Sequence, residues 1–137
     1  MTKPVLLFED RLTIESIDEE KYENISRVGG KTAVYDIALE LDINSTLFPV
    51  GKNEVVFLAL YSVEVIPDMQ ARDNEFEAII NSWDYVVYGK IFKQSEETNS
   101  RTIIFISFGG LLMSLCSDKA LLSNFLIGQR VFLMLKK

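Results

Sequence analysis

The stretch RTIIFISFGGLLMSLC, Arg101 to Cys116, consists of two apolar runs joined by Gly109 and Gly110. Short runs rich in β-branched and aromatic residues are typical of β-strands. Two adjacent glycines between such runs predict a tight hairpin turn, because glycine adopts a positive φ without steric cost. A phosphate-binding loop is excluded, since no Gly-x-x-x-x-Gly-Lys-Ser/Thr pattern is present and the glycines lead into a strand. The stretch therefore predicts an antiparallel β-hairpin.

Other parts of the chain show the same β signal, an alternation of apolar and polar residues with a period of two. The alternation is longest in AVYDIALELDI, Ala33 to Ile43, and we expect this strand to pair with Glu23–Val28 through a turn at Gly29 and Gly30. Further strands are predicted over Arg11–Asp18, Glu54–Val65, Asp84–Phe92, Arg101–Phe108, Leu111–Cys116 and Arg130–Lys136. This series of short strands predicts an all-β fold, either an antiparallel barrel or a sandwich.

The segments between the predicted strands are short, polar or both. Lys93–Ser100 is a predicted polar turn, and residues 66–82 are a predicted loop that contains a helical turn or two. SDKALLSNF, Ser117 to Phe125, predicts a short helix with Ser117 or Asp118 as its N-cap. Because no linker, repeat or low-complexity tract divides the 137 residues, we expect a single domain over residues 1–137.

The composition excludes several kinds of chemistry. The chain has no histidine and a single cysteine, so a structural zinc site, a histidine-dependent catalytic site and an internal disulfide are all excluded. The net charge of −6 argues against a general nucleic-acid-binding protein, which needs a positive surface to neutralise phosphates. The charge is uneven, with 7 Lys and Arg against 17 Asp and Glu in residues 1–84, and 7 against 3 in residues 85–137. The second part therefore suits an acidic partner surface.

Two short features resemble reactive or metal-binding sites. Cys116 has no histidine to activate it and ends an apolar strand, so we expect a buried, inert thiol. The acidic run Asp18-Glu19-Glu20 lacks the spaced oxygen ligands and the glycine of a calcium loop, so we expect a solvated turn.

The strands after residue 84 are apolar on both faces. Antiparallel sheets in small proteins usually keep one polar face, so the second face is covered either within the domain or by another chain. Basic residues interleave only sparsely with the aromatic residues of this region, which favours core positions over a base-stacking platform. The aromatic residues concerned are Tyr85, Tyr88, Phe92, Phe105 and Phe108.

Six segments of the chain occur in an order that resembles one known family. They are LLFED (Leu6–Asp10), ENISRV (Glu23–Val28), LELDINSTLFPV (Leu39–Val50), YVVYGKIF (Tyr85–Phe92), SFGGLLMSL (Ser107–Leu115) and RVFLMLKK (Arg130–Lys137). YVVYGKIF followed by SFGGLLMSL is the most specific part, and the resemblance covers nearly the whole chain. On these residues the chain is similar to the eighth subunit shared by the eukaryotic nuclear RNA polymerases I, II and III.

This resemblance implies an OB-fold-like barrel of eight or nine antiparallel strands, similar to paired oligonucleotide-binding motifs. It implies a non-catalytic nuclear subunit, without cofactor or metal, that docks on the largest subunits of the three polymerases and supports their assembly and stability. Other polymerase subunits are implied partners. Contact with nucleic acid is implied only through the complex, and no membrane association is implied.

The implied partner interface lies in the two most specific motifs and comprises Tyr88, Gly89, Phe108, Gly109, Gly110, Leu111, Leu112 and Met113. In such an interface the glycine pair would let a partner backbone approach closely. The chain departs from the family pattern at about residues 64–83, where EFEAIINSW replaces a long acidic, Pro/Ser-rich loop, so functions tied to that loop are not carried over.

Two other function classes stay open. An autonomous single-stranded nucleic-acid-binding protein would use the same OB-fold, although the acidity of the chain speaks against it. A small-ligand barrel would need an internal cavity, whereas the bulky two-faced strands predict a filled interior.

Overall fold

The computed structural model describes residues 4–63 and 74–137, within which the side chains of residues 19–22, 74 and 75 are left undescribed. This part of the chain forms eight strands and one helix. They are β1 (Val5–Tyr22), β2 (Ile25–Thr32), β3 (Ala38–Asn44), β4 (Val55–Val63), α1 (Asn74–Asn81), β5 (Tyr85–Glu96), β6 (Arg101–Phe108), β7 (Leu111–Asp118) and β8 (Arg130–Lys136).

The strands close into one antiparallel barrel in the order β1-β2-β3-β7-β6-β5-β8-β4, and β4 pairs back with β1. Closure leaves no open sheet edge in the barrel, which protects its backbone groups from pairing with other chains. The predicted all-β antiparallel barrel is thus confirmed. The predicted hairpin of β6 and β7 is confirmed as well, and both turn residues, Gly109 and Gly110, have a positive φ.

The β2–β3 hairpin exists, but its predicted turn is wrong. Gly29 and Gly30 lie inside β2, where they pair with Glu40 and Leu39, and the chain turns over residues 33–37 instead. A Cβ on Gly30 would overlap the carbonyl oxygen of Thr13, because β1 approaches β2 closely where their register shifts. Gly30 is therefore needed for the close packing of the two strands and not for a turn.

Other predicted elements are also corrected by the pairing of the strands. Ser117–Phe125 is not a helix, because β7 continues to Asp118 in its ladder with β6 and residues 119–124 form turns. Strand β5 likewise continues to Glu96, which leaves only residues 97–100 for the predicted polar turn. The acidic run from Asp18 lies in β1 and not in a turn, since β1 extends along β2 to Tyr22.

The helical turns predicted within residues 66–82 are confirmed as α1, whereas residues 66–73 lie outside the described part of the chain. The helix covers part of the outer surface of the barrel. Phe76 packs on Phe132 of β8 and on Tyr61 of β4, with ring centroids 5.3 and 6.0 Å apart, respectively. Phe132 and Met134 are therefore buried, although they point away from the barrel interior.

The interior itself is filled by alternate side chains of the strands. Leu12, Leu58, Ile104 and Leu133, from four different strands, are all inaccessible to solvent and belong to one core. On the outside, β8 is thus covered by α1 of the same chain.

Candidate partner-docking surface

The β6–β7 hairpin carries most of the predicted interface residues, and its tip is open. Gly109 and Gly110 have φ values of 65° and 102°, and a Cβ on either residue would meet no atom within 4 Å. Their positive φ favours glycine for conformational reasons alone. The amide N–H of Gly110 donates to the Oγ of Ser107 over 3.3 Å, which fixes the turn.

A buried carboxylate anchors the strand that follows this tip. Asp42 of β3 accepts a hydrogen bond from the amide N–H of Leu112 over 3.0 Å. The same carboxylate forms an ion pair with Arg27 of β2, whose Nε lies 2.7 Å from Oδ1. Asp42 thereby joins β2, β3 and β7 just beyond Leu41 and Met113, the last pair of the β3–β7 ladder.

The structure separates the predicted interface residues into buried and accessible groups. Phe108 and Met113 point into the barrel core, and Gly89 is buried because β5 passes against Ser107 and Phe108 at that point. Tyr88 is half-buried beside Phe132, on the side covered by α1.

The accessible group lies at the hairpin tip. Gly109 and Gly110 are exposed, Leu111 is half-buried, and Leu112 has 41% of its surface exposed. That the eight predicted residues together form a partner interface stays a prediction.

Among the described residues, none covers the outer face of β6 and the second half of β5 as α1 covers β8. Phe105 and Ile103 of β6 are half-buried, and Phe92 at a register shift of β5 is 48% exposed. The prediction that the aromatic residues are core residues is thus confirmed for Tyr85 and Phe108 and wrong for Phe92. Phe92 directly follows Ile91, whose side chain points into the core, so the strand alternation places Phe92 on the outer face.

Cys116 lies on this outer face and not in the core, so the prediction of a buried thiol is wrong in placement. It is half-buried, and its Sγ donates to the Oε2 of Glu97 over 2.7 Å. Burial raises the pKa of the Cys116 thiol, and the hydrogen bond to Glu97 raises it further, against an opposing effect of Arg101. Thiolate is the reactive form, so a raised pKa slows reactions of this cysteine.

Within residues 4–63 and 74–137, no group of three or more Cys, Asp and Glu side chains is placed to hold a metal ion.

Among the helices of that same part of the chain, none is long and apolar enough to cross a membrane.

Sequence reasoning missed Asp42 and Arg27 as the residues that hold β7 at the tip. The alternation of β3 places Asp42 on the polar face, which predicts exposure, yet it is only 8% exposed. An ion pair between an acidic residue and an arginine across a hairpin can be predicted from a sequence only when the register of the two strands is known. The predicted turn at Gly29 and Gly30 gave a different register, so the pair was not recognisable.

These features define a class of protein, a closed OB-like barrel that has one side covered by α1 and one outer face that the described residues leave accessible. The sequence model of the family described as RNA polymerase Rpb8 matches residues 9–137. The chain therefore belongs to the RNA polymerase Rpb8 family.

Curated relatives agree with this assignment. A Dictyostelium discoideum protein named DNA-directed RNA polymerases I, II, and III subunit rpabc3 is 31% identical over 138 residues, which cover 96% of this chain and 97% of the relative. The Schizosaccharomyces pombe protein named DNA-directed RNA polymerases I, II, and III subunit RPABC3 is 32% identical, over 84% of this chain and 83% of its own length. An Arabidopsis thaliana relative named DNA-directed RNA polymerases II, IV and V subunit 8B is 27% identical over 100% of this chain and 99% of its own length.

Proposed function

We propose that this chain is a non-catalytic subunit shared by the DNA-directed RNA polymerases I, II and III and supports their assembly and stability. The observation that carries the proposal is the family match over residues 9–137, because it spans almost the entire barrel. The relatives named as subunits of all three polymerases support the shared role. The chain would act in the nucleus, where these polymerases transcribe.

The proposed partners are the largest subunits of the three polymerases, with other subunits as secondary contacts. A closed barrel offers no strand edge for pairing, so docking has to use side chains and loops on its outer surface. The exposed hairpin tip, Gly109–Leu112, and the uncovered apolar residues of β5 and β6 support such a mode. Burial of this surface against a partner would be the mechanism by which the chain stabilises the assembly.

The proposed lack of catalysis agrees with the chemistry of the described side chains. The only cysteine has a raised pKa, and the chain contains no histidine. Asp10 is buried, but it is fully engaged in holding the backbone N–H groups of Arg11, Val34 and Tyr35. These groups are arranged for structure and not for proton transfer.

Co-purification from the native cell tests the proposal. The tagged chain is isolated gently, and the recovered proteins are identified and quantified by mass spectrometry. We expect the largest subunits of polymerases I, II and III to be recovered together with the chain. In the polymerase fraction, the summed molar amount of these three subunits should approach the molar amount of the tagged chain. Recovery of a monomeric chain without any polymerase subunit would contradict the proposal.

One observation favours a second candidate, a single-stranded nucleic-acid-binding protein. On the outer face of β5 and β6, exposed Phe92 lies 6.3 Å from Phe105 between ring centroids, and the Nζ of Lys93 lies 5.3 Å from the Phe105 centroid. Aromatic rings beside lysines are the elements of a base-stacking surface. Titration of a labelled oligonucleotide at several salt concentrations decides this question. Micromolar binding with a steep salt dependence would support the second candidate.

A further inference from the structure

An open groove of about 610 Å³ crosses the outer face of the barrel on the side away from α1. Its floor follows one row of the sheet, in which Gly29 of β2 pairs with Glu40 of β3, and Glu40 pairs with Ser114 of β7. In the next row Ala38 pairs with Cys116. Gly29, Ala38 and Ser114 are small residues, one from each of the three strands, and they leave a depression that longer side chains would fill.

The fold requires Gly30 but does not require Gly29. A Cβ on Gly30 would overlap backbone atoms of Thr13 in β1, which cannot move aside. A Cβ on Gly29 would come within 2.8 Å of only the Ser16 hydroxyl, the mobile end of a side chain, and within 3.6 Å of the next atoms. Glycine inside a strand lowers stability relative to alanine. The missing side chain at Gly29 therefore has its clearest physical consequence in the groove, whose floor it keeps open.

The walls of the groove define the chemistry of its occupant. Phe105 and Ile103 of β6 are half-buried and present apolar surface along one side. Glu15 of β1 lies at the other side, and Glu40 of β3 lies in the floor row. Both are exposed, and neither makes a salt bridge with a described residue. Lys31 also lines the groove, so the charge of the lining is negative by one.

This charge is part of a wider asymmetry, because residues 1–84 hold 17 acidic against 7 basic residues. The acidic residues of the groove lining repel the phosphates of a nucleic acid and attract a cationic polypeptide. The apolar wall opposite then adds hydrophobic contact for a neighbouring side chain of the same polypeptide. Because Gly29 has no side chain, the backbone of an extended polypeptide can approach the floor of the groove closely.

We infer that this groove binds an extended segment of the largest polymerase subunit, with an apolar side chain against Phe105 and Ile103 and a lysine or arginine toward Glu40. The inference rests on the proposed function, because it takes the occupant from the polymerase. It extends the proposed docking surface from the hairpin tip and the apolar residues of β6 to a groove whose chemistry is acidic as well as apolar.

The test compares two Gly→Val variants of the full chain in the same tagged co-purification. Gly29→Val places a branched side chain in the groove. Gly51→Val is the matched control, since a Cβ at Gly51 meets no atom within 4 Å and lies outside the groove. We expect Gly29→Val to lower the recovery of the largest subunits about tenfold, and Gly51→Val to leave it unchanged. Equal recovery with both variants would overturn the inference.

Two further measurements, on Gly29→Val itself and on a second variant, separate groove filling from misfolding. Valine is favourable in strands, and the thermal unfolding midpoint of purified Gly29→Val checks that the barrel is intact. Glu40→Lys reverses a charge on an exposed side chain, needs no repacking, and should lower the recovery severalfold if the occupant is cationic. Unchanged recovery with Glu40→Lys would overturn the assignment of a basic segment.

The single cysteine of the chain supplies an independent readout, because Cys116 lines the groove. Its alkylation rate by a maleimide is measured by mass spectrometry of the Cys116 peptide, in the free chain and in purified polymerase. The inference predicts alkylation about tenfold slower, or slower still, in the polymerase, and equal rates would overturn it. If Gly29→Val instead abolishes a dimer of the isolated chain, the occupant is a second copy and the inference is overturned.

The outcomes for the two proposals stay distinguishable. Failure of the wild-type chain to recover any polymerase subunit would overturn the proposed function and the groove inference with it. Normal recovery by the wild-type chain, with no effect of Gly29→Val and no protection of Cys116, would overturn the groove inference alone.

Discussion

The chain contains the same dipeptide, Gly-Gly, in two regions that use it differently. Gly109 and Gly110 form an open turn, where both residues have a positive φ and nothing surrounds them. Gly29 and Gly30 lie within a strand, where the space around each position matters instead. At the turn, glycine is needed for its backbone freedom. In the strand, glycine is needed for its small size, and only at Gly30 does the fold itself demand it.

The largest effect is expected when the crowded glycine of the strand is replaced. Gly30→Ala should lower the free energy of unfolding by about 3 kcal/mol or more, because the new methyl group overlaps the backbone of β1. Gly29→Ala is the matched control and should change stability by less than about 1 kcal/mol. Urea unfolding of the two variants measures both values. Equal losses at the two positions would contradict the distinction drawn between them.

The turn that replaces the predicted one depends on Asp10 instead of glycine. Its carboxylate accepts hydrogen bonds from the N–H groups of Val34 and Tyr35 at 3.0 and 2.9 Å. Asp10→Ala should therefore cost about 2 kcal/mol at neutral pH, since it leaves these backbone donors without their charged acceptor. Urea unfolding at pH 7 measures the cost. Glu9, the exposed neighbour of Asp10 in β1, is the control, and its replacement by alanine should have a much smaller effect.

The stabilisation from Asp10 should also depend on pH. Burial raises the pKa of Asp10, but hydrogen bonds from Tyr35, Arg11, Val34 and Thr32 outweigh it, so the pKa is lowered overall. A lowered pKa in the folded state gives stability that is complete above the unfolded-state value of about 3.9 and is lost as the pH falls through the folded-state value. The stability difference between wild type and Asp10→Ala should thus be constant from pH 7 to 5 and shrink below pH 4. A difference that grows on acidification would contradict this account.

A smaller effect is expected at the open turn. Gly109→Ala and Gly110→Ala should each cost about 1 kcal/mol, because alanine is strained at a positive φ even where space is free. Gly51→Ala, also in open space but without a positive φ, should cost nothing. Thermal unfolding of the three variants compares them directly. A loss at Gly51 equal to that at the turn would show that backbone conformation is not the cause.

The smallest effect on stability is expected at the apolar residue beside that turn. Leu112→Ser removes a side chain that is 41% exposed, so stability should change by less than about 1 kcal/mol. Recovery of the largest polymerase subunits should nevertheless fall severalfold if the hairpin tip docks on them. Unchanged recovery would remove Leu112 from the proposed interface.

The comparison of the glycine pairs also shows which parts of the fold can be predicted from the sequence. At Gly109 and Gly110 the local pattern was sufficient, because two apolar runs end immediately beside the turn. At Gly29 and Gly30 the same local pattern gave a wrong turn, because the deciding contact is with Thr13, which is distant in sequence. The turn at residues 33–37 could not be recognised within an alternating, mostly apolar run, because its stability comes from Asp10 in another strand.

The candidate site was predictable only in part, for related reasons. Segment order and the two most specific motifs led to the family, and they marked the hairpin that proves to be exposed at its tip. They did not show which residues of those motifs point inward, as Phe108 and Met113 do. They also did not reveal the groove, because its rows of small residues join only once the register of β2, β3 and β7 is known.

The measurement that tests the central claim most directly is depletion of this chain in its native cell, followed by separation of the polymerases on a density gradient. If the chain is a shared subunit that supports assembly, the largest subunits of polymerases I, II and III should all leave the assembled fractions as the chain disappears. Re-expression of the wild-type chain should restore them. Three polymerases that remain fully assembled after depletion would contradict the account.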